Sequence, residues 1–348
     1  MGKGSWKAPV FIPPWWLRDG WAMTIFTALA SGWLTPRLAY REHVFTGDGG
    51  VPLFGLWAKP TQAKGTLVAT YGMIGDLRQP SFLHWLAYRA VQRGYAVLLF
   101  DSRGQGKTGW LSPALPSDGL QEGHDFLALA IAAQGLGCPP PYWFVGYSLG
   151  GQLALWAGWA AMRASRPLPR ESIGGIVAVC PNLDAHRSLQ HLRQQPLGRL
   201  VEQLLTQELK RKALRLHQAH PQAINRQAID RITSIWTFDQ ELVVPRLGFQ
   251  TVADYYAASS PLPFLDQLTI PTLVLYSRDD PLFAPEILPE LEQAAAANPA
   301  LDLVLTDDGG HVGYYSSWLG QWLANDPDPW WAWHRVLDWC DGQLLARP

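Results

Sequence analysis

Short apolar runs alternate with helical segments along most of the chain. Six of these runs are short enough to be buried strands, and the run 142–146 is notably aromatic and β-branched. They span residues 66–71, 95–100, 142–146, 173–180, 270–276 and 301–305. The clearest helical segments between them are 82–92, 119–133 and 149–162. Because strands that are apolar on both faces must be covered on both, the alternation predicts an α/β fold with a mostly parallel sheet and helices on each side.

The beginning of the chain follows a different pattern. Residues 44–46 and 53–58 are two short strand signals around Gly47-Asp48-Gly49-Gly50, and a glycine-rich turn between strands is typical of an antiparallel hairpin. We expect this hairpin at one edge of the sheet. Residues 1–40 predict an extension that packs on the core, irregular at first and helical from about Ala22 to Leu34.

The alternation stops between residues 184 and 260. This segment has leucines at helical spacing and no clear strand, so it predicts helices inserted into a sheet domain made of residues 41–183 and 261–348. Ligand sites of open α/β sheets lie at the carboxyl ends of the strands. Helices inserted there would form a cap over such a site; the alternative is a helical bulge with no role in binding.

Charge and cysteine content restrict the class of protein. The net charge is −1 over 348 residues, which gives no reason to expect a nucleic-acid partner. Three widely spaced cysteines, Cys138, Cys180 and Cys340, form no paired framework and favour a reducing, cytoplasmic location. The apolar stretch 21–34 lacks the basic flank of a secretory signal and is too short to span a bilayer.

Tryptophan is unusually frequent, with 18 residues in the chain. Rings that pack in the core are one interpretation, and a patch that touches a lipid surface is the other, because tryptophan favours the boundary between apolar and wet environments. The clusters are Trp15–Trp16, Trp318 with Trp322, and Trp330–Trp331–Trp333 with Trp339.

No cofactor or metal is predicted. Histidine and cysteine residues do not occur at the spacing of a metal site. Gly104-Gln105-Gly106-Lys107-Thr108 resembles the end of a phosphate-binding loop, but that pattern requires a glycine where Asp101 stands. A turn after a strand explains these residues better.

Gly146-Tyr147-Ser148-Leu149-Gly150 lies between a predicted strand and a predicted helix. A serine at such a tight turn projects its hydroxyl away from the backbone, and the flanking glycines allow the chain to approach itself. The helix that follows directs free N–H groups towards negative charge that develops nearby. We therefore predict that Ser148 is a nucleophile.

A serine nucleophile needs a base and an acid that orients the base. His311 follows the last predicted strand on a Gly309-Gly310 loop, and it alone among nine histidines has this setting. Asp279 and Asp280 both follow the preceding strand, so both are candidates for the acid. The backbone N–H groups of Leu149 and of Met73, in the loop after residues 66–71, are the expected oxyanion donors.

With these segments, the chain resembles the α/β-hydrolase superfamily. The resemblance is narrower to a branch with bacterial predicted hydrolases, yeast medium-chain fatty-acid ethyl ester synthase/esterases and mammalian monoacylglycerol or phospholipid hydrolases. It is carried by Pro14-Trp15-Trp16-Leu17-Arg18, Ser102-Arg103-Gly104, the run from Val145 to Gly151, Asp279-Asp280-Pro281 and Gly309-Gly310-His311-Val312-Gly313.

The resemblance implies a helical cap and a Ser-His-Asp triad. It favours Asp280 over Asp279, because relatives place the acid three residues after the small residue that ends the strand, here Ser277. The chain departs from the family pattern at Tyr71 and Gln105, beside the oxyanion loop.

We therefore expect a serine hydrolase that cleaves carboxylic esters of apolar acyl groups, with Ser148, Asp280 and His311 as the triad. Its partner would be a small apolar ester rather than a nucleic acid. One alternative is an acyltransferase that passes the acyl group to an alcohol. The other is a hydrolase-fold protein that binds an apolar ligand without catalysis.

Overall fold

The structure is a computed structural model that describes residues 6–32, 35–79, 81–163 and 168–347. Within these residues eight strands form one sheet. The strands are β1 (Arg41–Thr46), β2 (Pro52–Ala58), β3 (Thr66–Thr70), β4 (Ala96–Phe100), β5 (Tyr142–Tyr147), β6 (Ile173–Val179), β7 (Thr272–Ser277) and β8 (Leu301–Thr306).

The spatial order of the strands is β1-β2-β4-β3-β5-β6-β7-β8. The first two form the predicted antiparallel hairpin, with Thr46 opposite Pro52, and β2 also pairs antiparallel with β4. All other neighbours are parallel, so the prediction of a mostly parallel sheet is confirmed. The parallel strands therefore deliver the loops after β3, β5, β7 and β8 to one edge of the sheet.

Helices flank the sheet and fill the segment between β6 and β7. The α-helices are α1 (Gly20–Ala30), α2 (Phe82–Gln92), α3 (Thr108–Leu111), α4 (Glu122–Gly135), α5 (Leu149–Arg163), α6 (Ala185–Gln194), α7 (Pro196–Ala219), α8 (Arg226–Asp230), α9 (Ile235–Phe238), α10 (Val244–Leu247), α11 (Val252–Ser259), α12 (Leu288–Ala297), α13 (Trp318–Ala324) and α14 (Trp331–Leu345). A π-helical turn at Asp239–Val243 joins α9 to α10. Short 3-10 helices lie at Trp15–Leu17, Asp48–Gly50, Arg170–Ser172, Leu262–Gln267 and Pro285–Ile287.

Each face of the sheet has its own apolar core. Phe126 of α4, Leu153 of α5 and Leu291 of α12 pack on one face. The helices α1, α2 and α14 pack on the other, with Met23 and Leu86 among the buried residues. Helix α14, which the sequence analysis did not predict, carries three of the four C-terminal tryptophans, and all four are buried in this second core. Packing is therefore the correct interpretation of that cluster.

The helices α6 to α11 form most of a third apolar cluster, which also includes Leu115 and is distinct from the clusters on the two faces of the sheet. Leu209 and Leu216 of α7 pack there with Ile229 and Tyr255. Among the described residues, no helix combines the length and apolarity that a bilayer crossing requires.

The N-terminal helix begins earlier than predicted. The side chain of Asp19 accepts a hydrogen bond from the N–H of Ala22 at 2.9 Å and caps the helix, which starts at Gly20 rather than at Ala22. Leu34, where the helix was predicted to end, lies outside the described residues.

A buried ion pair fixes the hairpin to the sheet domain. Arg103, in the turn after β4, contacts Asp125 of α4 through two hydrogen bonds of 2.7 and 2.9 Å. Arg103 also donates to the carbonyl oxygen of Asp48, and Asp125 accepts from the N–H of Asp48. Three segments that are distant in sequence therefore meet at one paired charge.

Replacing Arg103 by Ala should lower the free energy of unfolding by about 3–5 kcal/mol, because the Asp125 carboxylate would stay buried without its cation. Denaturant unfolding followed by circular dichroism measures this difference. The matched control is Arg226→Ala, which removes the exposed ion pair between Arg226 and Asp230. The control should change stability by less than about 1 kcal/mol. Equal effects of the two substitutions would contradict the assignment.

Candidate active site

Ser148 directly follows β5 in a strained backbone conformation. Its φ is 55°, in the left-handed region that non-glycine residues seldom adopt. Two hydrogen bonds hold the turn: the N–H of Ser148 donates to Val179 at 2.9 Å, and the carbonyl of Ser148 accepts from Gly151 at 3.0 Å. The hydroxyl consequently lies at the carboxyl edge of the sheet, where helix α5 begins.

The two glycines of the serine motif are required by close backbone contacts. A Cβ on Gly146 would lie 2.0 Å from the carbonyl oxygen of Gly150, and a Cβ on Gly150 would lie 2.5 Å from that of Tyr71. Neither backbone atom can move aside as a flexible side chain would. Strand β5, helix α5 and the loop after β3 therefore approach one another as the sequence pattern predicts.

The structure brings His311 and Asp280 to Ser148. The His311 Nε2 lies 2.9 Å from the Ser148 Oγ, and the His311 Nδ1 lies 2.8 Å from the Asp280 Oδ2. A carboxylate only accepts hydrogen bonds, so Nδ1 carries the proton and Nε2 is free to accept the serine proton. The N–H of Leu282 donates to the other Asp280 oxygen at 2.9 Å and orients the carboxylate.

Asp279, the other candidate acid, contacts the histidine loop but not the imidazole. Its Oδ1 accepts the N–H of Gly310 at 2.8 Å. Burial raises the pKa of Asp279 to about 6. The two adjacent carboxylates thus act at different points, Asp280 on the ring of His311 and Asp279 on the backbone that carries it.

Helix α1 supports the loops that carry Asp280 and His311. The sequence analysis did not predict this role of α1. The hydroxyl of Thr24 accepts the N–H of His311 at 2.8 Å and donates to the carbonyl of Gly20 at 2.6 Å. A Cβ on Gly20 would lie 2.0 Å from the carbonyl oxygen of Asp279. No local sequence pattern predicts these contacts, because Thr24 and His311 are 287 positions apart.

The loop after β3 passes beside the nucleophile. A Cβ on Gly72 would lie 3.1 Å from the Ser148 Cβ. The buried carboxylate of Asp101 holds the loop, because it accepts from the Tyr71 hydroxyl at 2.6 Å and from the Leu77 N–H at 3.2 Å. The same carboxylate accepts from the Lys107 N–H at 2.7 Å. Asp101 therefore joins this loop to the turn after β4.

Two backbone N–H groups near the serine are available as donors. Leu149 is the first residue of α5, where helical N–H groups have no intrahelical acceptor. Within the part of the chain that the structure describes, neither the N–H of Leu149 nor that of Met73 donates to another group of the protein. A negatively charged oxygen bound to Ser148 could accept from both.

An apolar cavity of about 360 Å³ adjoins Ser148 and His311. This volume lies within the range of small-molecule sites. The helices α6 and α7 contribute part of its wall, so the segment between β6 and β7 lies beside Ser148. Among its apolar lining residues are Met73, Leu189, Leu192, Leu205, Leu209 and Phe283.

A few ionisable side chains also line the cavity. Burial raises the pKa of Asp118 to about 7, and burial together with the charge of Asp118 raises the pKa of Asp239 as well. Both shifts favour the neutral carboxylic acid. Lys212 of α7 is another of these side chains, and the sequence analysis gave it no role.

Comparisons with known proteins agree with this architecture. Residues 71–317 match the model of a family described by the alpha/beta hydrolase fold. The "Putative esterase slr0264" of Synechocystis sp. is 46% identical to this chain, and the match covers 97% of this chain and 96% of that protein. The human "Phospholipase ABHD3" is 26% identical over 87% of this chain and 73% of its own length.

A solved structure, the Pyrococcus furiosus esterase Pf2001, superposes with a TM-score of 0.53. The superposition covers 98% of this chain and 100% of the esterase, at 15% sequence identity. At that identity the similarity bears on the fold alone. The sequence matches and the shared fold confirm the resemblance predicted from the motifs.

Proposed function

This chain belongs to the alpha/beta hydrolase family, and from that premise we propose that it is a serine hydrolase that cleaves carboxylic esters of apolar acyl groups. Hydrolysis of carboxylic esters agrees with the esterase and phospholipase names of its relatives. The observation that carries the assignment is the continuous hydrogen-bonded series from Asp280 through His311 to Ser148.

In the proposed mechanism, the Ser148 Oγ attacks the carbonyl carbon of the ester while His311 Nε2 takes its proton. The carbon–oxygen bond to the alcohol then breaks, and His311 returns the proton to the departing alcohol. Water attacks the resulting acyl-enzyme with His311 as base, releases the carboxylic acid and restores Ser148. Asp280 keeps the imidazole in the required tautomer and stabilises its charged form.

The oxyanion that forms in both steps would accept hydrogen bonds from the N–H groups of Met73 and Leu149. These donors belong to backbone fixed by the serine turn and by Asp101, so little reorganisation is needed when charge develops. A preorganised donor of this kind contributes roughly 3–4 kcal/mol to transition-state stabilisation.

The cavity supports an apolar acyl group as the preferred substrate. Leucine side chains from α6 and α7 face the space beside Ser148, together with Phe283. Each methylene group of an acyl chain buried there would contribute about 0.8 kcal/mol. The protein should therefore stabilise the transition state of an ester more strongly as the acyl chain lengthens from acetate, until the chain fills the cavity.

Ser148→Ala should abolish hydrolysis, because no other group in the proposed mechanism forms the acyl-enzyme. We expect p-nitrophenyl octanoate turnover to fall by about 10⁴-fold or more. In the wild type, kcat/KM should be at least about tenfold higher for the octanoate than for the acetate ester. Release of p-nitrophenol measured against enzyme concentration gives both values.

The matched control is Ser172→Ala, at the opposite edge of the sheet, immediately before β6. It should retain wild-type turnover. Free octanoic acid released in equal amount to p-nitrophenol identifies water as the acceptor. Unchanged turnover in Ser148→Ala would exclude the proposed nucleophile.

We also propose that one apolar face touches a lipid surface. Trp15, Trp318 and Trp322 are 83, 78 and 68% exposed. The segments that carry them are neighbours, because the Ser317 N–H donates to the Ile12 carbonyl at 2.8 Å. Exposed tryptophans of this density are typical of surfaces that meet the boundary of a bilayer.

Helix α1 connects this face to the cavity. Its Phe26 packs against Trp16 with ring centroids 5.0 Å apart, while Thr24 and Ala28 of the same helix line the cavity. An apolar ester could therefore leave a lipid surface close to the site. The three cysteines are free and buried, which supports a location in a reducing, cytoplasmic compartment. The protein would act there at the periphery of a membrane.

Replacing Trp318 and Trp322 together by Ser should weaken binding to phosphatidylcholine vesicles by about tenfold or more, because buried ring surface contributes on the order of 1 kcal/mol or more per residue. Co-sedimentation with vesicles measures the partition coefficient. Trp110→Ser, at another exposed tryptophan on α3, is the matched control and should bind as the wild type does. Equal binding by all three proteins would refute the lipid-facing role.

A further inference from the structure

A partly buried lysine of the segment between β6 and β7 contacts the loop that follows β3. Lys212 lies on α7, and its Nζ donates to the carbonyl oxygen of Met73 at 2.5 Å and to the Gln105 Oε1 at 3.0 Å. Burial lowers the pKa of Lys212 to about 7, although the nearby Asp101 carboxylate opposes the shift. An amine in such a place is costly unless it makes good hydrogen bonds, so these two contacts restrain the position of α7.

The contact with Lys212 fixes the orientation of the Gln105 amide. When Lys212 is charged, its ammonium has only donors, so the amide oxygen of Gln105 faces it. The amide nitrogen then faces the opposite side, where the Gln105 Nε2 lies 3.4 Å from the carbonyl oxygen of Gly72. Gln105 is itself held in the turn after β4, where its N–H donates to Ser102 at 3.0 Å.

The carbonyl that Gln105 contacts belongs to the same peptide unit as a proposed oxyanion donor. In a trans peptide the C=O of one residue and the N–H of the next point in opposite directions. Holding the Gly72 oxygen therefore directs the Met73 N–H, and Gly72 lies against Ser148. Lys212 holds the following carbonyl as well, so both peptide units that flank the Met73 Cα are restrained.

We propose that Lys212 and Gln105 are positioning residues that couple the cap to the oxyanion loop. When α7 is docked, Lys212 and Gln105 hold the Met73 N–H in line with the developing oxyanion. When α7 moves away, the restraint is lost and the oxyanion loses an aligned donor. This inference rests on the proposed function, because it assigns a use to the Met73 N–H in ester hydrolysis.

The direct test is Lys212→Met, which keeps the apolar stem and removes the donors. We expect kcat for p-nitrophenyl octanoate to fall by about 10- to 100-fold, since a displaced catalytic group costs up to this much. KM should stay within about twofold. The inhibition constant of an octyl trifluoromethyl ketone, whose adduct with Ser148 carries an oxyanion, should rise by the same factor by which kcat/KM falls.

A second variant separates the hydrogen bond from Gln105 to the Gly72 carbonyl from the hydrogen bond between Lys212 and Gln105. Gln105→Glu retains an acceptor for Lys212 but has no donor for the Gly72 carbonyl. It too should lower kcat and raise the inhibition constant of the ketone. The matched control is Lys210→Met on the same helix. Lys210 donates only to the Asp230 and Ile232 carbonyls among the described residues, and its replacement should leave both values unchanged.

Three results would overturn the proposal. One is an unchanged kcat in both Lys212→Met and Gln105→Glu. Another is a raised KM with unchanged kcat in Lys212→Met, which would mean that Lys212 only shapes the cavity. The third is a ketone inhibition constant that does not follow kcat/KM. If Lys212→Met does not fold, Gln105→Glu alone decides between these outcomes. Failure of the proposed function is distinguishable, because it would appear as residual hydrolysis by Ser148→Ala.

Discussion

The close approach of three backbone segments around Ser148 is the constraint on which the site depends. Ser148 adopts a left-handed backbone conformation. Gly146 packs against the backbone of Gly150, and Gly150 packs against the backbone at the end of β3, so neither glycine position has room for a side chain. This contact brings the loop after β3 beside the nucleophile, and the start of α5 then lies next to it. Small residues in the serine motif are thus a steric requirement, and the same close packing places the backbone of the two proposed oxyanion donors beside Ser148.

Segments outside the sheet complete the arrangement. Helix α1, from the N-terminal extension, holds the acid and histidine loops through Gly20 and Thr24. Helix α7, from the insertion, contacts the oxyanion loop through Lys212. The proposed reacting groups lie in the loops that follow the strands, and the two added segments contact these loops. Under the proposed mechanism, a displacement of either segment would alter the geometry of the reaction without changing any reacting group.

Local sequence patterns predicted the strands, the hairpin, the serine turn and the loop that carries His311, because each depends on neighbours within a few positions. They left Asp279 and Asp280 open, since both follow the same strand; the family resemblance favoured Asp280, and in the structure Asp280 contacts the imidazole while Asp279 contacts the backbone of Gly310. Thr24, Gln105 and Lys212 were not predicted to support the site, because their partners are distant in sequence; Lys212 and Met73 are 139 positions apart. Helix α14 was missed because its tryptophans are buried on several sides and leave no simple polar face.

We propose that an imidazole oriented by Asp280 activates Ser148. The decisive measurement is the rate at which an alkyl fluorophosphonate modifies the protein, with the adduct located by mass spectrometry. We predict an adduct on Ser148, a rate about 10³- to 10⁴-fold lower in Asp280→Asn, and a much smaller loss in Asp279→Asn, whose amide oxygen can still accept the Gly310 N–H. An adduct on another residue, or equal rates in the two variants, would rule out Asp280 and Ser148 in these roles.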